Sequence, residues 1–302
     1  MPRIQLVQIS SRAWEHPADR AALNTLRSIP GFDEVVRKVA SFFGERGVRQ
    51  LFLANAVRVS EHQRPKLNAL YSEVLETLDW PTRPQLYVTQ TPFVNAGAVG
   101  FDDPFIVMNS ATLAMLDEDE QRFILAHELG HIMSGHTTYR TIAIIILTVG
   151  ISNLPFLAGI SLLPFQLALL EWYRKSELSS DRAGLLGTQD LNVVMGGFMK
   201  LAGGTAPAGD QASLEEFMRQ AEEYETGGNA WDTVFKVLNT AFRDHPFNTV
   251  RASELDDRPL ADDYMDAAGY YGEQTRSTFQ QFGDVVSRAK DAFNEAWRGT
   301  PK

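Results

Sequence analysis

The sequence predicts a mostly α-helical α+β fold with one small sheet, on three observations. Short β-compatible stretches cluster between Pro84 and Asn109, apolar residues before them recur mainly at helical spacing, and everything after Ser110 reads helical. The chain has 302 residues, 44% of them hydrophobic, enough for a sizeable core.

Taken in order, His16-Pro17 marks a helix entry, and Phe32 to Phe43 carries an apolar stripe at helical spacing. Gln50 to Val59 is β-compatible, Arg64 to Leu78 is an amphipathic helix, and Trp80-Pro81 breaks the chain. Three short strands follow at Gln85–Thr89, Val94–Val99 and Phe105–Met108, with Asp102, Asp103 and Pro104 turning between the last two. The stretch DEDEQRFILAHELGHI from Asp117 is a strong helix. Asp117 caps it, Glu120 lies three residues on, and the acidic first turn suits the positive end of the helix dipole. Thr141–Leu170 is thirty residues without a charge. Helices resume at Glu171–Leu186, Asn192–Leu201, Ser213–Tyr224 and Trp231–Phe242, with a Gly/Pro-rich loop at Gly203–Asp210 and a closing amphipathic helix in the last forty residues.

Composition narrows the chemistry. The formal net charge is -10 with no basic stripe, so no nucleic-acid partner is expected. There are no cysteines, which excludes disulfides, thiolate metal sites and cysteine nucleophiles. A soft-metal site must therefore use carboxylates and the six histidines: His16, His62, His127, His131, His136 and His245. The first twenty residues carry charges throughout and no apolar core with a cleavage site, so a cytoplasmic location without a signal peptide is expected.

His127-Glu128-Leu129-Gly130-His131 reads HExxH. Residues four apart on a helix lie nearly above one another, so both rings present a nitrogen to one point, as zinc requires. Glu128, turned by roughly 100° from His127, faces a water in the open position and serves as general base. With so few histidines, a chance HExxH is on the order of a one-in-a-hundred event. A third ligand is needed. His136 follows too soon: were the helix to continue, it would project about 140° away from His131, which favours a helix-end or supporting role. Glu177 is the better candidate. Glu177 and Asp181 form an ExxxD pair on one helix face, Glu177 as the carboxylate ligand and Asp181 accepting from the outer nitrogen of a ligand histidine.

HExxH followed by ExxxD resembles the gluzincin metallopeptidase family that includes the HtpX-type proteases and the CAAX prenyl protease. Asn95-Ala96 upstream, and His245-Pro246 with Arg251 downstream, extend the match from about Pro84 to Leu255. The resemblance implies a zincin-like catalytic domain over 81–302, its small sheet beside the HExxH helix, with 1–80 as a helical extension packed on it. It implies one Zn2+ per chain and polypeptide substrates, unfolded or damaged proteins, cut as by an endopeptidase. The substrate would pair along the edge strand at Asn95, Ala96, Gly97 and Ala98. His245 would stabilise the oxyanion, or equally serve as a local helix-start residue, and Arg251 would organise the site. The alternative is a latent or non-catalytic zinc-stabilised scaffold, or a membrane-surface adaptor.

The uncharged insert 141–170 separates the histidines from Glu177. A single membrane crossing would leave Glu177 on the wrong side of His131, so the segment must return. Folded back, each arm of about 15 residues spans roughly 22 Å, short of a hydrocarbon core of about 30 Å. Pro155, Gly159 and Pro164 further interrupt regular helix. Peripheral membrane contact, self-association and burial in the core stay open as readings; Arg140 and Arg174-Lys175 flank the segment as cytoplasmic anchors would, and helix C-termini favour cations equally.

Overall fold

The computed structural model describes residues 3–149, 163–205, 212–226, 248–256 and Ser287. The expected helix at Trp231–Phe242, most of the loop at Gly203–Asp210, the closing helix and His245 lie outside or largely outside the described residues.

Two N-terminal helices come first. Helix α1 (Pro17–Ser28) begins where His16-Pro17 predicts, with His16 Nδ1 accepting from the Ala18 backbone N–H at 3.1 Å. Helix α2 (Phe32–Leu53) is kinked at Gly44, whose φ is +58°, so its first half ends where the apolar stripe Phe32 to Phe43 predicts and a second helical stretch follows. It absorbs the first part of the β-compatible stretch Gln50–Val59, leaving only strand β1 (Ala56–Arg58). Tertiary packing overrides strand propensity there: Phe52 sets its ring edge-on to Phe105, 6.3 Å between centroids. Helix α3 (Pro65–Thr77) follows as predicted.

Strands β2 (Gln85–Thr89), β3 (Ala96–Val99) and β4 (Phe105–Asn109) complete a four-stranded sheet in the order β1-β2-β4-β3. β2 and β4 are parallel, and the other pairs are antiparallel. Among the described residues β3 is therefore an edge. Its turn into β4 needs Gly100, whose φ is +129° and whose added Cβ would lie 2.6 Å from Pro104 Cα. Glu45 of α2 accepts the turn's N–H groups from Phe101 at 2.7 Å and Asp103 at 3.1 Å, so the N-terminal helices pin this hairpin.

After the short α4 (Ser110–Met115) come α5 (Glu118–Met133), α6 (Thr137–Val149), α7 (Leu163–Thr188), α8 (Leu191–Gly203), α9 (Leu214–Thr226) and α10 (Asn248–Asp256). The predicted cap of α5 is a full capping box: Glu120 N–H donates to Asp117 at 3.0 Å, and Asp117 N–H to the Glu120 carboxylate at 2.9 Å.

Helices α5 and α7 pack backbone to backbone through small residues. A Cβ on Gly130 would meet Ala183 Cβ at 2.5 Å, and one on Gly187 would meet Ala126 Cβ at 2.3 Å. That closeness carries α7's carboxylates to α5's histidines.

Two apolar cores flank this pair. One joins the sheet, α3, α5 and α8, and takes in Leu6, Ile9 and Trp14 from the N-terminal arm. The other joins α1, α2, α6 and the start of α7. The described ends of the uncharged insert belong to the second: Ile142, Ile145, Ile146, Phe165 and Leu169 are buried, while Leu147 and Leu167 are exposed. Among the described residues no helix is long and apolar enough to cross a membrane.

Candidate metal centre

The HExxH spacing on α5 and the ExxxD spacing on α7 bring three ligand atoms to one buried point. His127 Nε2 and His131 Nε2 lie 3.2 Å apart. Glu177 Oε2 is 3.4 Å from the first and Oε1 is 3.3 Å from the second. A tetrahedral ion with bonds of about 2.0–2.1 Å to nitrogen requires ligand atoms about 3.3–3.4 Å apart; the two nitrogens, and each nitrogen with its nearer Glu177 oxygen, stand close to that spacing, which suits zinc. Among the described residues this is the one cluster of His and carboxylates that converges in this way. Two histidines and one carboxylate, with no thiolate, also suit a catalytic rather than a structural zinc.

Glu128 stands beside the triangle rather than in it. One of its carboxylate oxygens is 4.0 Å from His127 Nε2, and the other accepts the Ala98 backbone N–H at 2.7 Å. The edge strand thus aims Glu128 at the site. Along that strand Asn95 is tied to Thr112, which accepts the Asn95 N–H at 2.8 Å and donates to its carbonyl at 2.7 Å. Asn95 Oδ1 accepts the Ala96 N–H at 2.9 Å. Gly97 and Val99 pair with β4 opposite Val107 and Phe105.

Each ligand is held from behind. His127 Nδ1 lies 3.0 Å from Asp181, which also receives the Arg251 guanidinium, Nε to Oδ2 at 2.8 Å. Burial raises the Asp181 pKa, but Arg251 and His127 outweigh it and hold the carboxyl below its ordinary value. Burial likewise opposes charge on His127, yet Asp181 and Glu177 lift its pKa to about 9. His131 goes the other way, well below its ordinary value, because burial and the Arg140 guanidinium outweigh Glu177.

Arg140 corrects an expectation. It is 1% exposed and donates to Glu177 Oε1, with its guanidinium 4.1 Å from the Tyr173 ring centroid. It is a buried partner of the ligand carboxylate, not an interfacial anchor, because α6 turns inward directly after α5.

His136 also sits differently from the continued-helix projection. The helix stops at Gly135, whose φ of +69° places it in the left-handed region. Gly135 N–H donates to Ile132 O and His136 N–H to His131 O, each at 3.0 Å, the paired bonds of a Schellman C-cap. The turn swings His136 back, so its Nδ1 is 3.1 Å from His131 Nδ1, while its Nε2 is 3.1 Å from Asp19 of α1.

Sequence reasoning missed Arg140's role and Asp19 altogether. Gly135 was the available signal for His136, since glycine after a helix marks a C-cap. Of the residues singled out beforehand, the structure brings together His127, Glu128, His131, Glu177, Asp181 and Arg251, with Asn95–Ala98 alongside.

Comparison with known proteins agrees with this geometry. Residues 61–259 match the model of peptidase family M48. A plastoglobule-localized metallopeptidase 48, chloroplastic, of Arabidopsis thaliana is 32% identical over 262 residues, 85% of this chain and 75% of its own length. Proteins named as protease HtpX homologs match shorter stretches. One from Helicobacter pylori is 34% identical over 26% of each chain, and one from Moorella thermoacetica is 28% identical over 39% of each. No solved structure matches. The family model spans well over half of the chain, and one relative matches most of it, so the protein belongs to peptidase family M48 and is a metallopeptidase.

Proposed function

We propose that the protein is a zinc-dependent endopeptidase acting on unfolded or damaged polypeptides. The observation that carries this reading is the convergence of His127, His131 and Glu177 on one point, with Glu128 beside them and outside the ligand set. These three side chains would hold one zinc ion. Bound there, zinc supplies Lewis acidity, polarising the scissile carbonyl and making the attacking water acidic enough to lose its proton near neutral pH.

The remaining work falls to the chain. Glu128 takes the proton from the attacking water and returns it to the leaving amine. The Ala98 N–H keeps its carboxylate facing the site, which costs no reorganisation during the reaction. Strand β3 would receive an extended substrate along its outer edge over Asn95 to Ala98, through the backbone groups of Ala96 and Ala98 that face away from β4. Such pairing reads backbone rather than side chains and suits a broad range of unfolded substrates. Asp181 holds His127, and Arg251 holds Asp181. His245 as oxyanion partner is part of the same reading by family resemblance, and it lies outside the described residues.

The uncharged segment suggests a place of work. Leu147 and Leu167 are exposed at the borders of its described ends, and the Arabidopsis relative is named as plastoglobule-localized. Peripheral contact with a lipid surface through 141–170 accords with both.

The test is cleavage of casein by the wild type and Glu128→Gln with added zinc. The reading expects fragments from the wild type and none from the variant. Zinc binding without cleavage by either would point instead to a latent or scaffold protein.

A further inference from the structure

The family match begins at residue 61, yet a carboxylate from well before it reaches the metal centre. Asp19, on α1, is 1% exposed. Its Oδ1 accepts Trp172 Nε1 at 3.0 Å, its Oδ2 accepts Ser179 Oγ at 2.6 Å, and the same Oδ2 is 3.1 Å from His136 Nε2. His136 Nδ1 in turn faces His131 Nδ1 at 3.1 Å.

Proton positions along this line follow from elimination. His131 turns Nε2 toward the centre, so as a neutral ligand it carries its proton on Nδ1. That N–H needs an acceptor, and His136 Nδ1 is the atom it meets. His136 must then carry its own proton on Nε2, and Asp19 is the acceptor that holds it there. If Asp19 is lost, His136 is free to take the other tautomer. Two N–H groups would then face each other at His131, and its ring could not keep both its orientation and its hydrogen bond.

We infer that Asp19 is a positioning residue for the metal ligand His131, acting through the tautomer of His136, so that the N-terminal arm is part of the metal centre. The inference rests on the zinc-peptidase reading and extends it to a segment outside the family's matched region. Asp181 does the same for His127 in one step, whereas Asp19 does it in two.

The experiment is zinc affinity of the full chain, measured by competition with a chromophoric chelator. The variants are Asp19→Asn, His136→Phe, the double variant and Trp172→Phe, with metal-free thermal unfolding recorded for each. Supporting partners of ligand histidines typically matter 10–100-fold in metal affinity, and a two-step relay belongs near the lower end, about tenfold. Asp19→Asn and His136→Phe are each expected to weaken zinc by about tenfold, and the double variant no further. Trp172→Phe removes the indole N–H that Asp19 accepts while keeping an aromatic ring against His136, and should leave affinity within about threefold. His136→Phe keeps Asp19 and its bonds to Trp172 and Ser179, so it reports on the relay even if Asp19→Asn folds poorly.

Unchanged affinity in Asp19→Asn or His136→Phe overturns the inference, as does a loss in Trp172→Phe equal to theirs. Failure of the wild type itself to bind zinc would overturn the metallopeptidase mechanism first, and the two failures are thereby separate.

Discussion

His127 and His131 occupy consecutive turns of the same helix, four residues apart, and both are buried, yet their surroundings push them in opposite directions. A carboxylate backs His127 directly, and its pKa is lifted to about 9 against the effect of burial. A second imidazole backs His131, Arg140 stands close by, and its pKa falls well below the ordinary value. The charge of the nearest neighbour, not depth, decides the difference. The metal-free pair therefore carries one proton beyond its neutral form, on His127, and a cation that binds must displace it.

Four measurements bear on this contrast. The largest effect belongs to neither histidine. Glu128→Gln should lower kcat by about 10²–10⁴-fold, the usual worth of a general base, while zinc affinity stays within a few-fold. If affinity collapsed as well, Glu128 would be acting as a ligand. Asp181→Asn should weaken zinc toward the upper part of a roughly 10–100-fold range, more than any change at Asp19, because it acts on its ligand without an intermediary. Equal losses at the two positions would remove the distinction between direct and relayed support.

A change that spares both sides but moves α7 should affect them together. Gly187→Ala puts a methyl 2.3 Å from Ala126 Cβ, and the overpacking should cost about 1–3 kcal/mol in denaturant unfolding. The smallest effect is the pH slope. Below about 9 His127 carries the proton that zinc must displace, so apparent affinity should rise as pH rises and flatten above that value. The slope should approach about tenfold per pH unit, with about one proton released per zinc near pH 7. Calorimetry in buffers of different ionisation enthalpy reads that number, and zero protons released would contradict the assignment to His127.

The two sides also differed in how far the sequence disclosed them. The His127 side lies in two local spacings, HExxH on one helix and ExxxD on another, and helical periodicity alone orients both. The cap at Asp117 was legible for the same reason. The His131 side depends on a helix ending and on a long-range meeting. Gly135 redirects His136, and a continued helix would have turned it away. Asp19 lies 112 residues before His131, and no spacing rule links an acid in one helix to a histidine in another. Arg140 was visible but ambiguous, since a cation beside an uncharged run fits a membrane border as well as a buried ion pair. At Gln50–Val59, strand propensity lost to the packing of α2 against the sheet.

Crystals grown with zinc and measured at its absorption edge would show which atoms hold the metal. One anomalous peak per chain is predicted, within about 2.0–2.2 Å of His127 Nε2, His131 Nε2 and a Glu177 oxygen, with Glu128 outside the ligand set. A peak bound by Glu128 in place of Glu177, or one lying elsewhere on the chain, would contradict the account.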